Sequence, residues 1–123
     1  MVITFSLILT GLILPLLMVV LGRWLFRNAP KDINALVGYR TKRSMRSKEA
    51  WDYANVTSGK YWFVLGLVCL PVFLAISSIV SVIIEHDNVA HTSYSLFSIV
   101  ALELIPLFSV IPYTEKKLKD KFG

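Results

Sequence analysis

The chain has 123 residues, of which 55% are hydrophobic and 17% charged, and its mean hydropathy is +0.64. An ordinary soluble domain carries roughly 25% charged residues, and a fold of this length cannot hide so much apolar side chain from water. The composition therefore excludes a typical soluble enzyme and a disordered chain, while the net charge of +5 suits an anionic membrane face or nucleic acid.

Three apolar runs predict three transmembrane helices, at about residues 2–24, 61–84 and 92–113. The first run has about 21 residues and extends roughly 32 Å as a helix, which is enough to cross the hydrocarbon core. Cations follow this run but do not precede it, so the pattern differs from that of a signal peptide. A loop at 25–60 and a tail at 114–123 complete a single membrane domain, and Thr114 is expected to cap a short basic helix in the tail.

The distribution of cations predicts the orientation. Nine of the 13 Lys and Arg lie between residues 23 and 60 and the other four lie in the tail, whereas the link at 85–93 has none. The positive-inside rule therefore places the loop and the C-terminus in the cytoplasm and the N-terminus outside. Because topology explains the positive charge, we expect no direct binding of nucleic acid.

The loop before the second span has its own local signals. Gly38 permits a turn with positive φ, and Ser47 is a suitable N-cap with Glu49 in the first helical turn. After this cap, large apolar and small polar residues recur at helical spacing, which predicts an amphipathic element at the inner interface. The predicted fold is all-α, an integral membrane bundle of three transmembrane helices with an amphipathic cytoplasmic segment between helices 1 and 2.

The same segment carries a recognisable string of residues: Asn34, Gly38-Tyr39-Arg40-Thr41, Ser44, Ser47, Trp51, Asn55 and Gly59-Lys60. This string resembles the signature of the SdpI family of bacterial membrane proteins, and residues 111–118 are similar to the endings of its single-domain members. The resemblance implies the bacterial plasma membrane. For the best-known member, which has extra spans before the matching part, it implies immunity to a secreted killing peptide and retention of a transcriptional repressor at the membrane.

The candidate ligand- or partner-binding residues are those of the motif: Asn34, Gly38, Arg40, Thr41, Ser44, Ser47, Trp51 and Asn55. Arg40 and Thr41 can form an anion or lipid-headgroup pocket or pair with a carboxylate, and the alternative is an arginine that only snorkels to lipid phosphate. The Asn and Ser residues form either a polar network or ordinary turns and caps. Trp51 is expected to anchor the interface, with a stacking platform for a ligand as the alternative.

Glu103 is the one acid within the third apolar run. A charged side chain near the bilayer centre is penalised by roughly 2.5–3.5 kcal/mol, so burial without a cationic partner favours the neutral acid. Glu103 is either functional, as a group that exchanges a proton, or structural. In the structural interpretation it forms a hydrogen bond across the bundle or faces the interface of a dimer.

The remaining polar residues indicate little further chemistry. His86, Asp87 and His91 could ligate a metal, but a solvated loop is the favoured interpretation, and Cys69 is expected to be a small packing residue. The sequence shows no nucleophile–base pair, phosphate loop or catalytic carboxylate pair, so neither an enzyme nor a cofactor is expected.

The leading functional hypothesis is an SdpI-like immunity or signal protein that recognises a membrane-active toxic peptide. Its expected partners are the lipid bilayer, the peptide and a cytoplasmic regulator, and the small surface that three helices bury favours a homodimer. The alternative is a small proton- or substrate-coupled transport subunit that uses Glu103. A third hypothesis, a membrane enzyme acting on lipid, would need an acid near Arg40, where Glu49 and Asp52 are available.

Overall fold

The computed structural model describes residues 2–34, 36–84 and 87–123. These residues form three helices and no strand: α1 (Val2–Asn28), α2 (Lys48–Ile83) and α3 (Val89–Phe122). Each helix is long and apolar enough to cross a membrane, which confirms the predicted all-α membrane bundle. We call the end of the bundle where α1 ends, α2 begins and α3 ends the basic end.

The helices are longer than the predicted spans. Ser47 caps α2 by accepting a hydrogen bond from the Ala50 amide at 3.0 Å, and α2 then continues without interruption to Ile83, so the amphipathic segment is its first part. At the other end of the chain, α3 continues through Pro112 to Phe122. Thr114 is buried inside this helix, so the prediction that it caps a separate tail helix was wrong.

Glycines bring α1 and α2 into backbone contact near the basic end. A Cβ added at Gly22 would lie 2.6 Å from the Gly59 carbonyl oxygen and from the Phe63 amide nitrogen. A Cβ added at Gly59 would lie 2.6 Å from the Phe26 amide nitrogen. Small residues at such crossings allow helices to approach closely in lipid. The close crossing therefore sets the distance between the end of α1 and the start of α2, which the connecting loop must span.

The core consists of two clusters of buried side chains. One lies along the membrane-spanning part and includes Leu7, Cys69, Phe73 and Ile99. The other lies at the basic end, where Leu118 of α3 packs against the first turns of α2. Large apolar side chains cover the outer surface of all three helices, as a lipid environment requires.

The link between α2 and α3 is short. The Asn88 side chain caps α3 by accepting hydrogen bonds from the Ala90 amide at 3.0 Å and the His91 amide at 3.3 Å. Of the suggested metal ligands, His86 lies outside the described residues. Within the described part of the chain, no group of three His, Cys, Asp or Glu side chains could hold a metal ion.

Candidate functional site

The motif residues lie in and under one loop at the basic end, residues 29–47, which we call the motif loop. Trp51, in the second turn of α2, is fully buried beneath this loop. Its indole Nε1 donates a hydrogen bond to the Pro30 carbonyl oxygen at 2.7 Å. The expectation that Trp51 anchors the lipid interface was wrong, because the loop folds over the ring and shields it.

Asn34 shapes the first half of the motif loop. Its Oδ1 atom accepts hydrogen bonds from the Leu36 amide at 2.9 Å and the Val37 amide at 2.8 Å, which is the turn chemistry typical of asparagine. Arg40 then closes the turn, since its Nε donates to the Asn34 carbonyl oxygen at 3.1 Å. The partner of Arg40 is thus a backbone carbonyl of the same loop, and the rest of its side chain is exposed.

Gly38 and Asn55 fasten the loop to α2. Gly38 has a φ of 110°, as its predicted turn requires, and an added Cβ would lie 2.8 Å from Asn55 Oδ1 and 2.9 Å from Trp51 Cζ2. The buried Asn55 side chain accepts a hydrogen bond from the Tyr39 amide at 2.8 Å and donates one to the Trp51 carbonyl oxygen at 2.8 Å. Because both ends of this amide are used, Asn55 holds the loop at a defined height over α2.

Thr41 and Ser44 form the second turn of the loop. The Thr41 amide donates to Ser44 Oγ at 2.8 Å, and the Ser44 amide donates to Thr41 Oγ1 at 3.2 Å. The buried Ser44 hydroxyl has the Tyr39 and Thr41 carbonyl oxygens within 2.9 and 3.0 Å. These contacts are turn chemistry, which was one of the two interpretations of the Ser and Asn residues.

Glu115 of α3 completes the site and was not predicted from the sequence. The Tyr39 hydroxyl donates to Glu115 Oε1 at 3.0 Å, and Arg43 Nε lies 3.3 Å from Glu115 Oε2. Burial, together with the Glu115 carboxylate, raises the pKa of Tyr39 above its ordinary value of 10.0. The position of Glu115 in segment 111–118 was an indication in the sequence that it has a role. Its contacts could not be predicted, because its partners lie more than 70 residues earlier in the chain.

A cavity of about 270 Å³ lies between the motif loop and the three helices. Its apolar walls come from every element at this end of the bundle: Leu21, Trp24 and Leu25 of α1, Val37 of the loop, Trp62 of α2 and Val110 of α3. Ligand pockets for whole small molecules occupy roughly 300–1,000 Å³. The volume and the lining therefore suit an apolar side chain or the end of an acyl chain.

Glu103 is not part of this site. It precedes Glu115 by 12 residues on α3, which is about 18 Å along the helix axis. Its side chain is 1% exposed, and neither carboxyl oxygen has a hydrogen-bond partner among the described residues. The hydrogen bond across the bundle, one of the alternatives for Glu103, is therefore not formed among the described residues, and Glu103 is a buried carboxyl group in the middle of a membrane span.

The sequence is similar to known proteins over most of its length. Residues 31–113, from the motif loop into α3, match the family model of the SdpI/YfhL protein family. The uncharacterized protein YfhL of Bacillus subtilis (strain 168) is 38% identical over 69 residues, which cover 56% of this chain and 63% of that relative. The match thus spans slightly less than two thirds of the relative's length. No solved structure matches the chain.

Proposed function

Because the chain belongs to the SdpI/YfhL family of membrane proteins, we propose that it protects a bacterial cell against a membrane-active toxic peptide, or senses one. The supporting observation is the apolar cavity of about 270 Å³ under the motif loop. A peptide that acts on membranes exposes apolar side chains to lipid. The cavity, which is partly open to the surroundings, offers such a side chain a position beside three membrane-spanning helices.

In this proposal the motif loop and the helices have different roles. The basic end faces the cytoplasm of the cell, as the positive-inside rule requires. An apolar side chain of the peptide enters from the bilayer and contacts Trp24 and Val37, and Glu115 holds the loop in place above it. The exposed part of Arg40 is then available to a cytoplasmic regulator, so the occupied cavity can be detected from the cytoplasm. A second copy of the chain is a further expected partner, on the apolar outer surface.

A protection assay with cavity-filling variants tests this proposal. Leu21 lines the cavity and is 43% exposed, so we expect Leu21→Trp to fill part of the cavity without disturbing the core. Leu17 lies one turn earlier on α1, is 46% exposed and does not line the cavity, so Leu17→Trp is the matched control. Cells that lack the gene receive each variant and are challenged with secreted membrane-active peptides.

The expected result is that the wild-type protein and Leu17→Trp restore survival, whereas Leu21→Trp at equal membrane abundance does not. Equal protection by the two tryptophan variants would show that the cavity is not where the peptide binds. If the wild-type protein restores survival against none of the peptides, including those secreted by the source organism, the immunity proposal is wrong.

Glu103 supports a second candidate function, a small proton- or substrate-coupled transport subunit. A buried carboxyl group with no hydrogen-bond partner among the described residues is available to exchange a proton, and intramembrane acids are functional candidates by default. Flux into proteoliposomes that carry the wild-type protein is compared with flux through Glu103→Gln, which reproduces the neutral acid. Proton coupling requires that the variant loses flux while its helix content is unchanged, and it is excluded if the variant retains full flux.

A further inference from the structure

A second groove, of about 560 Å³, runs along α2 and α3 near the basic end, and none of the described residues of the motif loop lines it. The residues that line this groove change from polar to apolar along α2. Tyr53, Thr57 and Lys60 lie toward the basic end, whereas Val64 and Val68 lie farther into the membrane-spanning part. From Lys60 to Val68 the helix rises about 12 Å. The groove is therefore polar at one end and apolar at the other, in the direction from the membrane surface to its interior.

Two ammonium groups lie at the polar end of the groove, Lys60 on α2 and Lys117 on α3. Both side chains are exposed. The ion pairs among the described residues join Arg43 to Glu115 and Lys48 to Asp52, so neither groove lysine has a carboxylate partner there. Two cations on neighbouring helices without a counter-ion provide charge complementarity for a phosphate group.

A stacked tyrosine pair forms a wall of the groove beside these lysines. The rings of Tyr61 and Tyr113 stack with their centroids 4.5 Å apart, and the Lys117 ammonium lies 5.7 Å from the centroid of Tyr113. The Tyr61 hydroxyl lies 2.6 Å from Ser109 Oγ, which itself donates to the Pro106 carbonyl oxygen at 2.6 Å. Tyrosines are enriched at the level of lipid headgroups, and a wall held in place before binding reduces the entropic cost of binding.

From this arrangement we infer that the α2–α3 groove binds one anionic phospholipid of the leaflet at the basic end. The phosphate lies between Lys60 and Lys117, and one acyl chain follows Val64, Leu65 and Val68 into the bilayer. A zwitterionic phospholipid presents the same acyl chains but adds a cation to the headgroup, so it binds more weakly. The inference does not depend on recognition of a toxic peptide, because it uses a different surface.

Native mass spectrometry of the detergent-solubilised protein tests the inference. The protein is incubated with phosphatidylglycerol or with phosphatidylcholine of identical acyl chains, and retained lipid is counted. We expect one retained phosphatidylglycerol at concentrations that give no retained phosphatidylcholine. Because each lysine near a membrane surface contributes on the order of a fivefold change in affinity for anionic lipid, the double variant Lys60→Gln/Lys117→Gln is expected to bind about thirtyfold more weakly.

Matched variants separate a site from general surface charge. Lys116→Gln/Lys119→Gln removes the same charge from α3 at exposed positions outside the groove, and it is expected to leave the affinity unchanged. Val68→Trp blocks the apolar end and is expected to abolish retention, whereas Val72→Trp, one turn farther along α2 and outside the groove, does not. Circular dichroism confirms that each variant keeps its helix content.

Four results would overturn the inference. Equal losses in the two lysine double variants would mean diffuse attraction by the basic end. Full retention by Val68→Trp, or displacement of the lipid by inorganic phosphate at low concentration, would mean that the acyl chain is not recognised. A dimeric wild-type protein that retains no lipid, together with a monomeric Val68→Trp variant, would assign the groove to a second copy of this chain.

Discussion

Replacing Gly38 by alanine tests whether the motif loop is held over α2 as described. The residue has a φ of 110°, a conformation that residues with a Cβ rarely adopt and that costs them on the order of 1–3 kcal/mol. The added Cβ would also lie 2.8 Å from Asn55 Oδ1. The loop must therefore move away from Asn55 or accept the strain.

The expected size of the effect follows from what this movement breaks. If the loop shifts, the buried Asn55 side chain loses the hydrogen bond from the Tyr39 amide, and an unsatisfied buried acceptor costs about 1–3 kcal/mol. The loop adopts whichever of the two responses costs less free energy. We take this cost as a loss of about 2 kcal/mol in the stability of the docked loop relative to the open loop. Since about 1.4 kcal/mol corresponds to a factor of ten, the open loop becomes roughly 30 times more populated.

Limited proteolysis in detergent measures this population. Trypsin sites at Lys42, Arg43 and Arg46 lie within the loop, and cleavage follows the open fraction when opening and closing are fast. Gly38→Ala is expected to be cleaved up to about 30 times faster in this loop. Gly123→Ala is the control, because Gly123 also has a positive φ but nothing lies within 4 Å of an added Cβ.

Cleavage of Gly38→Ala at the wild-type rate would refute the docking of the loop on Asn55. A double-mutant cycle adds a second check, since contacting residues are not additive. If Gly38→Ala acts by displacing the loop from Asn55, then Gly38→Ala in an Asn55→Ala background accelerates cleavage much less than it does alone. Strictly additive effects would mean that the glycine acts elsewhere.

Two further predictions concern the contacts that hold the loop and the helices together. The pKa of Tyr39 is raised in the folded protein by burial and by the Glu115 carboxylate, so its contribution to stability is complete below the ordinary pKa of 10.0 and is lost as pH rises beyond it. The rate of loop cleavage in the wild type is therefore expected to increase above about pH 10. The increase is expected to be smaller in Tyr39→Phe, which has no ionisable phenol. Identical dependences of the cleavage rate on pH in the two proteins would contradict the burial of the Tyr39 hydroxyl. Gly59→Val inserts a side chain at the helix crossing, where the Gly22 carbonyl oxygen would lie 2.7 Å from an added Cβ. The midpoint of thermal unfolding in detergent is therefore expected to fall by several degrees, which is the order of magnitude for a loss of about 2 kcal/mol. An unchanged midpoint would contradict the close crossing of α1 and α2.

The parts of the fold that the sequence predicted depend on local signals. Three apolar runs of membrane length predict three spans whatever they pack against. The turn at Gly38 and the cap at Ser47 are likewise properties of short segments, since they follow from backbone conformation and from a hydroxyl group next to free amides. The structure contains both.

The contacts that build the site could not be predicted in this way, because they join distant parts of the chain. A tryptophan next to basic residues is typical of the membrane–water interface, which is why Trp51 was predicted to lie there. In the structure Trp51 is buried because the motif loop folds back over α2. The third span was predicted to end at residue 113, with Thr114 as the cap of a separate tail helix just after Pro112. Helix α3 continues past it because Thr114 and Leu118 are buried and Glu115 is held by the loop, and these tertiary contacts outweigh the lost backbone hydrogen bond.

The hydrogen bonds also indicate which residues of the site remain available to a partner. Asn34, Ser44 and Asn55 use their side-chain atoms on backbone groups of the loop and of α2, so substituting them is expected to loosen the loop and to affect binding only indirectly. Leu36, in contrast, is 88% exposed and lines the cavity. Asn34, Ser44 and Asn55 therefore hold the loop in place, whereas the apolar side chain of Leu36, which the motif does not specify, remains exposed at the cavity.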